Sequence, residues 1–187
     1  MRNATEEPKF DVRKFEELIL VIAHRAPDIG LTKLEKLLYL CDFISAESRG
    51  VPITGEMYTH FDRGPVPKHI KRILPAMAAL LKQEELPRAN KPGKFIKLTP
   101  KRKSKNSMFS ADEQRTIEDV LQRFGHWTST ELVKYVHDDL TYKATKRNED
   151  IPYSLAIYRR YEKPDALLAQ SLRDDPDYIR VLDAALG

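Results

Sequence analysis

A chain of 187 residues, 41% hydrophobic and 32% charged, is long enough to bury a core without disulfide support, and it contains no run of roughly 18 apolar residues that could cross a bilayer. Its single cysteine excludes an internal disulfide, and its opening, MRNATEEPKFDVRKFEE, carries acids where a signal peptide has an apolar run, so the expected compartment is the cytoplasm. The net charge of +4 is a local matter: seven of the 32 basic residues and none of the 28 acidic ones lie between Lys91 and Lys105, leaving 25 basic against 28 acidic elsewhere, which argues against a broad nucleic-acid-binding face.

Residues 1–10 are polar and predict a flexible N-terminus. Residues 11–187 predict one mainly α, compact helical domain with a small β element and additional C-terminal helices. DVRKFEELILVIAHRA fits an amphipathic helix capped by Asp11, with Phe15, Leu18, Ile19 and Ile22 on one stripe. Pro27 and Gly30 break it. Thr32, with Glu35 three positions on, predicts a capping box at the head of TKLEKLLYLCDFISAESRG; Leu34, Leu37, Leu38, Cys41 and either Ile44 or Ser45 keep the helical period and Gly50 supplies the stop. This helix is expected at the centre of the core, with Cys41 as a buried, reduced thiol.

The character changes at Val51. Met57, Thr59 and Phe61 alternate with Tyr58, His60 and Asp62, predicting a short extended segment that turns at Gly64 and Pro65. A third helix is predicted from Pro67 to about Glu84, striped by Ile70, Ile73, Leu74, Met77, Leu80 and Leu81 and bent or delayed by Pro75. KFIKLTP predicts a small strand and KRKSKNSM a flexible basic loop. Ser110 with Glu113, and Thr128 with Glu131, predict two capped helices around Gly125 and Trp127, the first carrying Ile117, Val120, Leu121 and Phe124. Residues 141–150 read as a polar connector. Pro152 opens a further helix with Leu155, Ile157 and Tyr158 as packing candidates. Two final short helices, divided by residues 174–176, are expected to pack Leu167, Leu168, Leu172, Ile179, Leu182 and Leu186 back on the body.

No chemistry-bearing motif emerges. The five histidines are scattered, without HExxH or a cysteine cluster; His60, Asp62 and His69 form the one local set with zinc-ligand chemistry, and surface or turn roles explain them better. The seven glycines form no phosphate-cradling loop. The expectation is therefore no enzyme, no cofactor and no metal, and a function of binding another macromolecule. The segment Lys91–Lys105 reads first as a solvated loop, then as a protein-docking strip, then as a nucleic-acid contact through Lys101, Arg102, Lys103 and Lys105. The helix after Thr128 offers Glu131, Asp138 and Asp139 against Lys134 and His137, a poor match to a phosphate-lined groove. Tyr39, Tyr58, Phe61 and Trp127 are the aromatics with anchor chemistry, each with a core role as the alternative. The candidate partner-binding set is Tyr58, Phe61, Asp62 and Arg63.

Two stretches, LTKLEKLLYLCDF and the GPVP element after PITGEMY, resemble the Panacea domain found in SocA-like antitoxins and related prophage proteins. Lys33, Leu34, Lys36, Leu37, Leu38 and Tyr39 match its first motif, and Gly64, Pro65 and Val66 its second. Phe109, Ser110, Glu113, Gly125, Glu131, Leu132 and His137 stand where the second half of the family has its capped helices. Tyr142 takes the place of the tryptophan that often follows the last histidine. The resemblance covers residues 31–152 and leaves 153–187 as a C-terminal helical extension. It implies an antitoxin that binds and neutralises a cognate toxin encoded beside it. The alternatives are an adaptor that delivers the toxin to a protease, or a nucleic-acid-binding transcriptional regulator.

Overall fold

Helix α2, Leu31–Arg49, is buried on nearly every side, and the other elements are arranged around it. Leu34, Leu37, Leu38, Tyr39, Leu40, Cys41 and Phe43 are all fully buried, which requires neighbours on more than one flank of the helix. The computed structural model describes residues 8–27, 29–87, 92–160 and 175–186. The flexibility expected of residues 1–7, and the packing expected of Leu167, Leu168 and Leu172, lie outside these residues.

Helix α1, Val12–Arg25, begins as its sequence predicts, with the Lys14 backbone N–H donating to the Asp11 carboxylate at 3.0 Å. Phe15, Leu18, Ile19 and Ile22 are fully buried against the core. The predicted Thr32 cap does not form: α2 starts at Leu31 after Gly30, with no side-chain cap. Gly30 bridges to Lys97, and the Leu98 N–H donates to the Ile29 carbonyl at 3.0 Å, so this neighbouring strand fixes where the helix begins. Gly50 ends α2 in the left-handed region at φ 74°, where a glycine has no steric cost.

Strands β1 (Tyr58–Phe61) and β2 (Gly64–Pro67) form a hairpin whose turn is Asp62–Arg63. The GPVP element is therefore a strand, not the turn. β5, Asp150–Ile151, pairs with the other edge of β1 and completes a three-stranded antiparallel sheet in the order β2-β1-β5. The long third helix is replaced by α3, Ile70–Ala76, a 3-10 turn at Met77–Ala79 and a strand, β3, at Leu81–Pro87. Pro75 has no N–H for the Lys71 carbonyl, and the Gln83 side-chain amide caps the Leu74 carbonyl at 2.6 Å, so α3 stops there. β3 pairs over its whole length with β4, Lys94–Pro100.

The loop after β4 is held rather than loose. Arg102 and the Lys105 N–H converge on Glu17, and His24 bonds the Arg102 carbonyl at 2.7 Å. Helices α4 (Ala111–Phe124) and α5 (Ser129–His137) each carry the predicted capping box with both reciprocal bonds formed. Part of the expected polar connector is α6, Leu140–Lys143, with Thr141 and Tyr142 buried. A 3-10 segment, Tyr153–Arg160, follows β5, and α7, Pro176–Leu186, ends the described chain. Leu155 and Tyr158 pack inward as expected. Ile157 and Ile179 do not, because Tyr158, Tyr178 and Val181 fill the contact between the two segments instead. The chain is thus mainly α with small antiparallel sheets, and among the described residues no helix is long and apolar enough to cross a membrane.

Candidate functional site

The signature residues of α2 and β2 meet at one junction. Lys36 is fully buried, yet it finds the Pro65 carbonyl at 2.9 Å and the Glu35 carboxylate at 3.3 Å. Burial depresses the Lys36 ammonium pKa and raises that of Glu35, and their mutual attraction opposes both shifts. Lys33, also buried, donates to the Pro27 carbonyl at 2.9 Å and so closes the α1–α2 turn. Both lysines bury their stems and fasten a loop or strand to α2 by its backbone.

Gly64 is required by what lies behind it. Its φ is +89°, and a Cβ there would stand 2.8 Å from Val136 Cγ2 and 3.2 Å from Lys36 Cε. Strand β2 can therefore lie directly on α2 and α5. Tyr39, one turn on from Lys36, hydrogen-bonds Thr141 of α6. Tyr142 stacks on both His60 (centroids 3.7 Å apart) and His137 (4.8 Å), and its hydroxyl donates to the Phe61 carbonyl at 2.7 Å. Burial lowers the pKa of both histidines, with the Lys36 charge adding to the effect on His137. Among the described residues, the buried His137 Nε2 has no hydrogen-bond partner.

Above this junction the hairpin tip is open. Phe61 is 38% exposed; Asp62 and Arg63 are exposed, Asp62 lying 3.3 Å from Arg147. Tyr58, the fourth candidate, is fully buried: its hydroxyl donates to Asp42 at 2.8 Å, and its ring meets Tyr39 and Phe43 edge-on. Tyr39 is buried likewise. Three of the four candidate contact residues therefore share a surface, and the fourth supports it from below.

The structure separates the His60, Asp62 and His69 set. His60 bonds Thr145, whereas His69 bonds Glu56 at 2.8 Å and stacks on Phe10. Among the described residues no three His, Cys, Asp or Glu side chains are grouped to hold a metal ion. In the basic segment, Arg102 is paired with Glu17, Lys94 with Glu85 at 2.7 Å, and Lys101 with the Ala78 carbonyl at 2.7 Å; Lys103 and Lys105 remain exposed. Lys91 lies outside the described residues. Cys41 is a buried free thiol whose pKa burial pushes well up, which keeps it in its unreactive form.

Two networks were not anticipated from the sequence. Asp42, fully buried, accepts the Thr54 N–H (2.7 Å), the Thr54 hydroxyl (2.6 Å) and the Tyr58 hydroxyl. Its carboxylate within the apolar run LLYLCDFI was the available signal. Arg159, 6% exposed at its side chain, joins Asp139 at 2.7 Å and Glu47 at 3.4 Å, tying the 3-10 segment to α2. No local pattern marks that trio, since its members are scattered along the chain.

The fold and site together define a mainly helical domain in which a β-hairpin is locked against two helices by a buried lysine and a glycine. The residues that do this are those of the Panacea signature. The chain belongs to that family: the description "Antitoxin SocA-like, Panacea domain" matches residues 34–140. No curated protein and no solved structure gives a match.

Proposed function

We propose that this chain is a cytoplasmic antitoxin that neutralises a cognate protein toxin, encoded beside it, by direct contact and without catalysis of its own. Family membership supports a toxin as the partner. The observation that carries the contact surface is the fixed hairpin tip: Phe61 projects from a strand held by the Lys36–Pro65 and Tyr142–Phe61 hydrogen bonds. A pre-organised anchor loses little entropy on binding. Phe61 and Arg63 are the expected hot spots, each worth about 2 kcal/mol or more at the centre of an interface.

The test is expression of the neighbouring reading frame alone and together with this chain. Growth arrest by the neighbour, relief by this chain and co-purification of the two are expected. Phe61→Ala and Arg63→Glu are expected to abolish relief while leaving the circular dichroism spectrum unchanged. A harmless neighbour, or relief undiminished in both variants, overturns the reading. Relief accompanied by disappearance of the toxin instead of a stable complex favours delivery to a protease over occlusion.

A further inference from the structure

Strand β3 is paired on one side only. Its ladder with β4 runs from Leu81 opposite Pro100 to Pro87 opposite Lys94, and among the described residues no strand lies on its other side. The Lys101 N–H donates to the Leu80 carbonyl at 2.8 Å, which extends that ladder by one bonded pair. Bonded and non-bonded pairs alternate between antiparallel strands, so Lys82, Glu84 and Leu86 turn their backbone groups to β4. On β4 the alternate residue Leu98 turns away and donates to the Ile29 carbonyl at 3.0 Å, as this alternation requires. Leu81, Gln83 and Glu85 therefore aim their N–H and carbonyl groups at the open edge, where Gln83 and Glu85 are exposed. Small side chains border it: the Gln83 amide reaches the Leu74 carbonyl at 2.6 Å, and the turn that follows exposes Pro75, Ala76, Ala78 and Ala79.

Such an edge accepts a further strand, and charge decides which. Lys82 and Glu84 lie 2.8 Å apart on one face of β3, opposite the face that buries Leu81. A second copy of this chain, added antiparallel, is related by a two-fold axis normal to the sheet, which sets one residue of β3 opposite itself. Centred on Gln83, the bonded pairs are Gln83 with the partner's Gln83, Leu81 with the partner's Glu85, and Glu85 with the partner's Leu81. These are the residues whose backbone groups point outward, and each pair exchanges two bonds. Between them Lys82 stands opposite the partner's Glu84, and Glu84 opposite the partner's Lys82, in the non-bonded pairs where side chains come closest. Moving the centre one residue back sets Lys82 against itself; one residue forward sets Glu84 against itself. Lysine and proline commonly blunt an edge. Here Lys82 meets an acid in the register centred on Gln83, and Pro87 falls outside the pairing. We propose that two copies of this chain join through their β3 edges, centred on Gln83, into one four-stranded antiparallel sheet. This edge belongs to a different sheet from the hairpin tip, and the proposal stands whatever partner that tip takes.

Pairing over so short an edge buries less than the roughly 1,200 Å² of a lasting complex, so association is expected at micromolar concentrations and above. Sedimentation velocity of the full chain, from micromolar to millimolar concentration, is expected to show monomer passing to dimer. Lys82→Glu and Glu84→Lys each turn both cross-strand pairs into like-charge pairs, and each alone should weaken the dimer about ten-fold or more. Mixing the two variants should restore it, because every exchanged charge then faces its opposite; a misfolded variant could not be rescued in this way. Amide exchange followed by nuclear magnetic resonance should show the Leu81, Gln83 and Glu85 N–H groups gaining protection with concentration, and those of Lys82 and Glu84 unchanged. A chain that stays monomeric throughout overturns the proposal. So does a dimer indifferent to both swaps, or one that the mixture fails to restore, since either places the contact on another surface.

Discussion

Asp42→Ala probes the interior where it is most polar. Burial pushes the Asp42 carboxyl from 3.8 up to about 6, against the lowering effect of the Thr54 and Tyr58 hydrogen bonds. The folded state therefore binds this proton more tightly than the unfolded state does. The stability Asp42 contributes is full below the unfolded pKa and is lost as pH rises through about 6. Truncation strips the acceptor from three donors, the Thr54 N–H, the Thr54 hydroxyl and the Tyr58 hydroxyl. At about 1–3 kcal/mol each, that is a gross cost of about 6 kcal/mol, offset near neutrality by about 3 kcal/mol because an ionised carboxylate no longer has to be buried. The expected deficit is about 3 kcal/mol at neutral pH, growing by about 2 kcal/mol toward pH 4.5, where the parent carboxyl in the folded chain is protonated and most of the offset is gone. Urea unfolding followed by circular dichroism at the two pH values measures both numbers. A deficit that shrinks or stays constant on acidification refutes the assignment of the raised pKa to Asp42.

Three further outcomes follow from the geometry. Gly64→Ala places a methyl 2.8 Å from Val136 at φ +89° and should cost about 2–4 kcal/mol; calorimetry giving an unchanged Tm would show that β2 can lift off α5 freely. Arg159→Ala leaves Asp139 and Glu47 facing each other in a nearly buried site and should cost about 3 kcal/mol; a loss below about 1 kcal/mol in denaturant titration would assign the trio to the surface. Glu17→Gln weakens the grip on Arg102 and the Lys105 N–H, so faster amide exchange at Lys105, with α1 unchanged, is expected by mass spectrometry.

The sequence was most readable where structure is decided locally. Asp11, Ser110 and Thr128 cap their helices because the donor that each satisfies lies three residues away in the same chain. Thr32 has the same pattern and fails, because the backbone around Gly30 is already engaged by β4, and no local rule contains β4. LKQEEL is rich in helix formers, yet it is a strand: full-length pairing with β4 outweighs tenths of a kcal/mol of propensity per residue. Tyr58 misleads for a related reason. The alternation in β1 suggests one wet face, but Tyr58 turns to α2 while Thr59 on the opposite face bonds Asp150 of β5 at 2.8 Å, so both sides of that strand's first half are covered. The motif lysines were legible as family residues; their inward direction was not, since a charged side chain is almost always expected outside.

Helix α7 rests on a small apolar cluster of its own. Leu155, Tyr158, Tyr178 and Val181 are buried together, with Leu140 and Ala144 beside them, apart from the main core around α2. Its polar ties are to nearby surface groups, Arg180 to Glu149 and Asp177 to Ser154. Cooperativity depends on contiguous buried surface, so this arrangement divides the molecule into two units of unequal strength. Native-state exchange should resolve two opening free energies, the smaller belonging to α7. Ending the chain before Pro176 would then remove the smaller without moving the larger.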